Sequence, residues 1–196
     1  VIEIVLDDNM YGKAEAENVS SLVASLKKRG EVRLHPLEVA YILFVERENV
    51  IAVTSKGERL NFEEYLGKVL SRLDERCREE SKGCVLSRLF WSMFTVYYDL
   101  RRRKRKVIPE VRREGTILEI RKEKWWAEYL VLEEGVKTTI DKLILWIEDV
   151  RANDMLPIVA IVDRNGGVTY YEVAKATLKS PRGTSTGEAP FSRVFS

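Results

Sequence analysis

The chain opens in period two. Positions 1, 3 and 5 are Val, Glu and Val, and positions 2, 4 and 6 are Ile, Ile and Leu, the pattern of a strand. The spacing then changes. Val19, Leu22, Val23 and Leu26 recur at helical intervals within residues 15–28, and Gly30 is a natural stop, so a helix is predicted there. A short strand over 32–34 follows. Pro36 suits the first turn of a helix bearing Leu37, Ala40, Tyr41 and Phe44. Residues 49–53 read as a strand, with Gly57 in the next turn. Asn61 and Glu64 have the spacing of a capping box, and the helix they open places Phe62, Tyr65, Leu66, Val69, Leu70 and Leu73 on one stripe. A charged stretch, 74–82, closes this unit.

The second half repeats the alternation of helix and strand. Leu86, Leu89, Phe90, Met93, Phe94, Tyr97 and Leu100 mark a helix over 85–100. Strands are predicted at 115–121 and 126–132, and an amphipathic helix at 137–151. The most apolar strand runs over 158–162, after Pro157. Asn165, Gly166 and Gly167 signal a tight turn, with a returning strand at 168–173. The fold class is therefore α+β. A small N-terminal α/β domain (1–84) is followed by a domain with a mixed central sheet flanked by helices (85–179). A tail rich in Pro, Gly, Ser and Thr (180–196) is either loose or docks on something.

Composition narrows the class. With 45% hydrophobic residues and a net charge of only +2 over 196 residues, the chain is not disordered. It has no apolar run long enough to span a membrane. Its first residues lack the basic segment of a signal peptide, which points to a cytoplasmic protein. Two cysteines, Cys77 and Cys84, and one histidine, His35, cannot complete a tetrahedral zinc site. Whether the cysteines bond to each other is left open; abundant Glu, Lys and Arg lean toward a thermophilic source, where intracellular disulfides occur.

The strongest chemical signal is a basic run of six: Arg101, Arg102, Arg103, Lys104, Arg105 and Lys106. Such a run supplies the cations that nucleic-acid phosphates need, or else it is a solvated turn balanced by nearby carboxylates. Trp125 and Trp126 are adjacent, so in a regular strand they face opposite sides and at least one packs in a core. The other serves an interface, a second layer or base stacking. No nucleophile elbow and no glycine-rich phosphate loop is present. His35, before Pro36 at a helix start, reads as structural.

Three segments carry a family resemblance. VYYDLRRR (96–103) resembles the Y-x-D-L-R-x-R-G motif of the archaeal tRNA-splicing endonuclease C-terminal domain. AEYLVL (127–132) is similar to the strand that begins H-S-K-Y-L-V in catalytic members. LPIVAIVDRNGGVTYYEV (156–173) resembles the family's terminal hairpin. The likeness covers about 97–175 and extends weakly to 37–53.

The resemblance implies a nuclease-like second domain and metal-independent, cofactor-free RNA cleavage that leaves 2′,3′-cyclic phosphate and 5′-hydroxyl ends. Catalytic members use a Tyr, a His and a Lys. Those positions fall here on Ile120, Trp126 and Met155, none of which transfers a proton or carries a charge. The pattern resembles the non-catalytic structural (beta) subunit of the crenarchaeal heterotetramer. The implied partners are a catalytic paralogue, in an alpha2beta2 assembly, and precursor tRNA with bulge-helix-bulge introns. The alternative is a stand-alone RNA-binding module. The family dimerises partly through its terminal hairpin, which assigns an interface to Ile158, Val159, Ile161, Val168, Tyr170 and Val173. Its acidic loop, here Glu133 and Glu134, enters a basic pocket on a partner. The basic run 101–106 is the expected RNA contact, or it faces the partner.

Overall fold

The computed structural model describes residues 1–24, 29–110, 112–113 and 115–174. Ten strands and five helices are found among them. The first unit contains β1 (Ile2–Leu6), β2 (Gly12–Glu15), α1 (Ala16–Val19), β3 (Glu31–Leu34), α2 (Pro36–Val45), β4 (Val50–Val53), β5 (Arg59–Leu60) and α3 (Phe62–Glu80). Its sheet order is β3-β2-β1-β4-β5, with β1 and β4 parallel and the other pairs antiparallel.

The caps explain where its helices begin. At α2, His35 Nδ1 accepts from the Leu37 amide at 3.2 Å, and the Glu38 carboxylate accepts from the His35 amide at 2.8 Å. Asn61 and Glu64 make the same reciprocal pair at α3. One expectation changes. The helix expected over 15–28 is β2 running directly into the single turn of α1, and residues 25–28 lie outside the described residues. Gly12 lets β2 press against its neighbours: a Cβ there would lie 2.6 Å from Ile4 and 2.7 Å from Val39. The charged stretch 74–82 begins as the last turns of α3, which continues through Glu80. Left-handed Ser81 and Gly83 then reverse the chain. A Cys77–Cys84 disulfide clamps this corner.

The second unit contains α4 (Cys84–Arg102), β6 (Val107–Pro109), β7 (Thr116–Arg121), β8 (Lys124–Glu133), α5 (Ile140–Ala152), β9 (Leu156–Val162) and β10 (Val168–Glu172). Its sheet order is β10-β9-β8-β7-β6, and only β8 and β9 are parallel. Period two along β8 separates two layers. Ala127, Tyr129 and Val131 join the main core, whereas Leu130 and Leu132 pack against Trp146, Ile147 and Val150 of α5. The architecture is thus mixed, with helices flanking two mixed sheets. One buried cluster runs through both, because α4 packs on α2 and α3 and also on β6, β8, β9 and β10. The tail 180–196 lies outside the described residues. Among those residues, no helix is long and apolar enough to cross a membrane.

Candidate functional site

Strand direction brings three positions to one end of the second sheet. β7 runs antiparallel to β8, and β8 runs parallel to β9. The end of β7 and the starts of β8 and β9 therefore meet: Ile120 pairs with Trp125, and Ala127 pairs with Leu156. Ile120 is buried, at 8% exposure, and Met155 is half-buried against the α5 cluster. The expectation of a core tryptophan is not met, since Trp125 and Trp126 are each 43% exposed. The register shifts at Glu119/Ile120, so β8 spends an extra residue against β7 and the alternation breaks there. The Arg121 guanidinium lies over the Trp126 ring, 4.5 Å from its centroid.

A cleft of about 610 Å³ opens beside this end, lined by Trp125, Met155, Leu118, Arg113, Glu128 and Asp149 among others. Its chemistry is already committed. Glu128, 4% exposed, accepts from Arg113 at 2.8 Å and from the Trp146 indole at 3.0 Å. Arg113 also pairs with Asp149. Tyr129 is equally occupied: burial, and then its bond to the Glu119 carboxylate, raises its pKa, so it stays a neutral donor. His35 lies in the first unit and caps α2. Burial, with the charge of Arg33, lowers its pKa to about 3, so it holds no proton to give near neutrality. Among the described residues, no group of three or more His, Cys, Asp and Glu side chains could hold a metal ion.

Residues 90–170, from the middle of α4 to the middle of β10, match the model of the tRNA intron endonuclease catalytic C-terminal domain. Over these residues, about two fifths of its length, the chain is similar to that family. No curated protein matches it.

Within the matched region the basic run is divided. Arg102 and Arg103 face Asp99, at 3.8 and 2.8 Å. Arg105 is held at 3.0 Å by Glu119, a carboxylate only 1% exposed that also accepts from Arg121 at 2.6 Å. Arg101 reaches across to the first unit and donates to the Leu22 carbonyl at 2.8 Å. Arg101, Lys104 and Lys106 line a second cleft of about 750 Å³, together with Tyr41, Ile120 and Lys122. Among the described residues, Glu123 is the one carboxylate on its wall. Sequence reasoning missed Lys122, which lies outside the run in the chain and joins it only through the β7–β8 turn.

Glu133 ends β8 and Glu134 follows it. Glu133 is half-buried and accepts from the Ser92 hydroxyl at 2.6 Å, whereas Glu134 is exposed. Along the terminal hairpin, Ile158, Val168 and Tyr170 pack on the main core, and Val159, Ile161 and Val173 join the α5 cluster. β10 is a sheet edge, and its outward Tyr171, absent from the sequence-based set, is 52% exposed.

Proposed function

We propose that this chain is the non-catalytic structural subunit of a heterotetrameric tRNA-splicing endonuclease. A catalytic paralogue cleaves intron-containing precursor tRNA at bulge-helix-bulge elements, and this chain supplies half of the scaffold. The observation that carries the reading is the sheet end formed by Ile120, Trp126 and Met155. Cleavage by ribose 2′-oxygen attack needs a base for that hydroxyl, an acid for the leaving 5′-oxygen and positive charge at the phosphate. An alkyl chain, an indole and a thioether supply none of these.

The remaining surface suits assembly. Among the described residues, β10 presents an unpaired edge with exposed Tyr171, which a second hairpin would cover. Glu133 and Glu134 offer the acidic loop. The basic cleft of Arg101, Lys104 and Lys106 is its complement and fits the reciprocal loop of the partner. At about 750 Å³ it accommodates a few side chains, not the breadth of an RNA helix.

The test is reconstitution. The chain alone, the paralogue alone and the mixture are each given an intron-containing precursor tRNA. Cleavage only or far faster in the mixture, with a mass of four chains, is the expected result. Cleavage by this chain alone overturns the proposal. Tight RNA binding with no association to the paralogue favours the stand-alone RNA-binding module instead.

A further inference from the structure

The turn between β7 and β8 is built from residues that ordinarily avoid its conformation. Arg121 pairs with Lys124, so only Lys122 and Glu123 close the hairpin, and both are left-handed, with φ of 48° and 63°. Asn-Gly is the usual solution for such a turn, because glycine adopts positive φ without strain. Here side-chain-bearing residues occupy both positions. The tip consequently presents, in order, Arg121, Lys122, Glu123, Lys124, Trp125 and Trp126.

Its aromatic part is exposed by construction. The register shift leaves both indoles 43% exposed at the sheet end, although a regular strand would have turned one of them inward. Trp126 is further fixed by Arg121, whose guanidinium lies over its ring while donating to buried Glu119. Lys122 and Lys124 enter no ion pair among the described residues. Cations spaced along a ribbon with two exposed indoles match a strand whose phosphates repeat and whose bases are unstacked.

We infer that the β7–β8 hairpin tip is a stacking platform for unpaired RNA nucleotides, with Trp125 and Trp126 receiving bases and Lys122 and Lys124 facing phosphates. The proposed splicing role identifies the RNA as precursor tRNA, and the platform deepens that role. A purely apolar partner surface would leave Lys122 and Lys124 desolvated and unpaired, whereas a phosphodiester chain satisfies rings and cations together.

The test uses the full chain and a fluorescein-labelled single-stranded oligoribonucleotide, with the same sequence as a duplex for comparison. Wild type is expected to prefer the single strand. Trp126→Ala weakens single-strand binding by roughly 5- to 150-fold, the range of one lost base stack, and Trp126→Phe retains most of the affinity. Lys122→Glu with Lys124→Glu weakens it further and flattens its salt dependence. Circular dichroism and thermal unfolding confirm that each variant is folded. Three results overturn the inference: no single-strand binding by wild type at low salt, equal loss on single strand and duplex, or unchanged RNA binding with a changed assembly mass, which makes the tip a protein contact. Failure of the platform is separable from failure of the splicing role, because stimulation of the paralogue by wild-type chain is scored independently.

Discussion

Tyr170 in β10 donates to Asp99 in α4 across 2.8 Å, joining residues 71 apart in the chain. These belong to the two sequence segments that most strongly resemble the endonuclease family, and in the fold they touch. Asp99 also holds Arg103 at 2.8 Å, so its carboxylate anchors both the terminal hairpin and the end of α4. Burial, and then that carboxylate, raises the Tyr170 pKa, which keeps the phenol a donor. Tyr170→Phe is expected to cost about 1.5 kcal/mol, the lower end for a bond to a charged group, because Arg103 still satisfies Asp99. Urea denaturation measures it. A change within error would show that the contact is idle.

Charge reversal separates docking from folding. Lys104→Glu with Lys106→Glu reverses the cleft wall where neither lysine has an ion pair among the described residues, so the monomer's melting temperature changes little. The mixed assembly dissociates toward dimers in sedimentation. Glu133→Lys with Glu134→Lys has the same effect on mass, although Glu133 also loses its bond to Ser92 and costs some stability. Tetramers that survive both pairs of changes refute the acidic-loop assignment and leave the fold untouched.

Reduction acts at the corner between α3 and α4. Cys77 and Cys84 are separated by seven positions, and closing so short a loop restricts the unfolded chain by roughly 2.5 kcal/mol. Thermal unfolding with and without a thiol reductant is expected to differ accordingly. The Cys77→Ser, Cys84→Ser variant matches the reduced protein and is insensitive to reductant.

Stability against pH reports on the cap of α2. Burial lowers the His35 pKa from 6.5 to about 3, so the unfolded state binds its proton first and this contribution is lost as pH falls below 6.5. Glu38 moves the other way: burial raises its pKa from 4.5 to about 7, opposed by its bond to the His35 amide and by Arg101, so its contribution is lost as pH rises from 4.5 to 7. The two slopes oppose each other between pH 4.5 and 6.5, where stability is expected to be nearly flat. Glu38→Gln removes one slope, and stability then rises with pH up to about 6.5. Denaturant titrations across this range decide it. A Glu38→Gln profile as flat as wild type would exclude the pairing.

Elements with strong periodicity were legible from residue order alone. The Asn61–Glu64 box, the apolar stripe of α4 and the β9–β10 hairpin all follow local rules. Short strands did not: β5 and β6 have two and three residues and exist only because β4 and β7 hold them. The segment 15–28 misled because Ala14, Ala16 and Val19 are buried by contacts with distant residues, which a local period cannot represent. At the candidate site, the residue types at Ile120, Trp126 and Met155 were visible in the sequence. The exposure of both tryptophans was not, because a register shift belongs to a strand pair rather than to a strand. Likewise, six consecutive cations looked equivalent until Asp99 and Glu119 were seen to occupy three of them.

The position of α4 has a consequence for dissecting the molecule. One flank carries Phe94 against Phe44 and Phe62, and Tyr97 against Tyr41, while the helix also packs on the second sheet. A truncation starting at residue 85 would strip the covering from one side of this helix and leave a row of aromatic rings in water. Such a fragment is expected to aggregate, and the intact chain to melt in a single cooperative transition. Two sheets are drawn in the topology, yet thermodynamically there is one object.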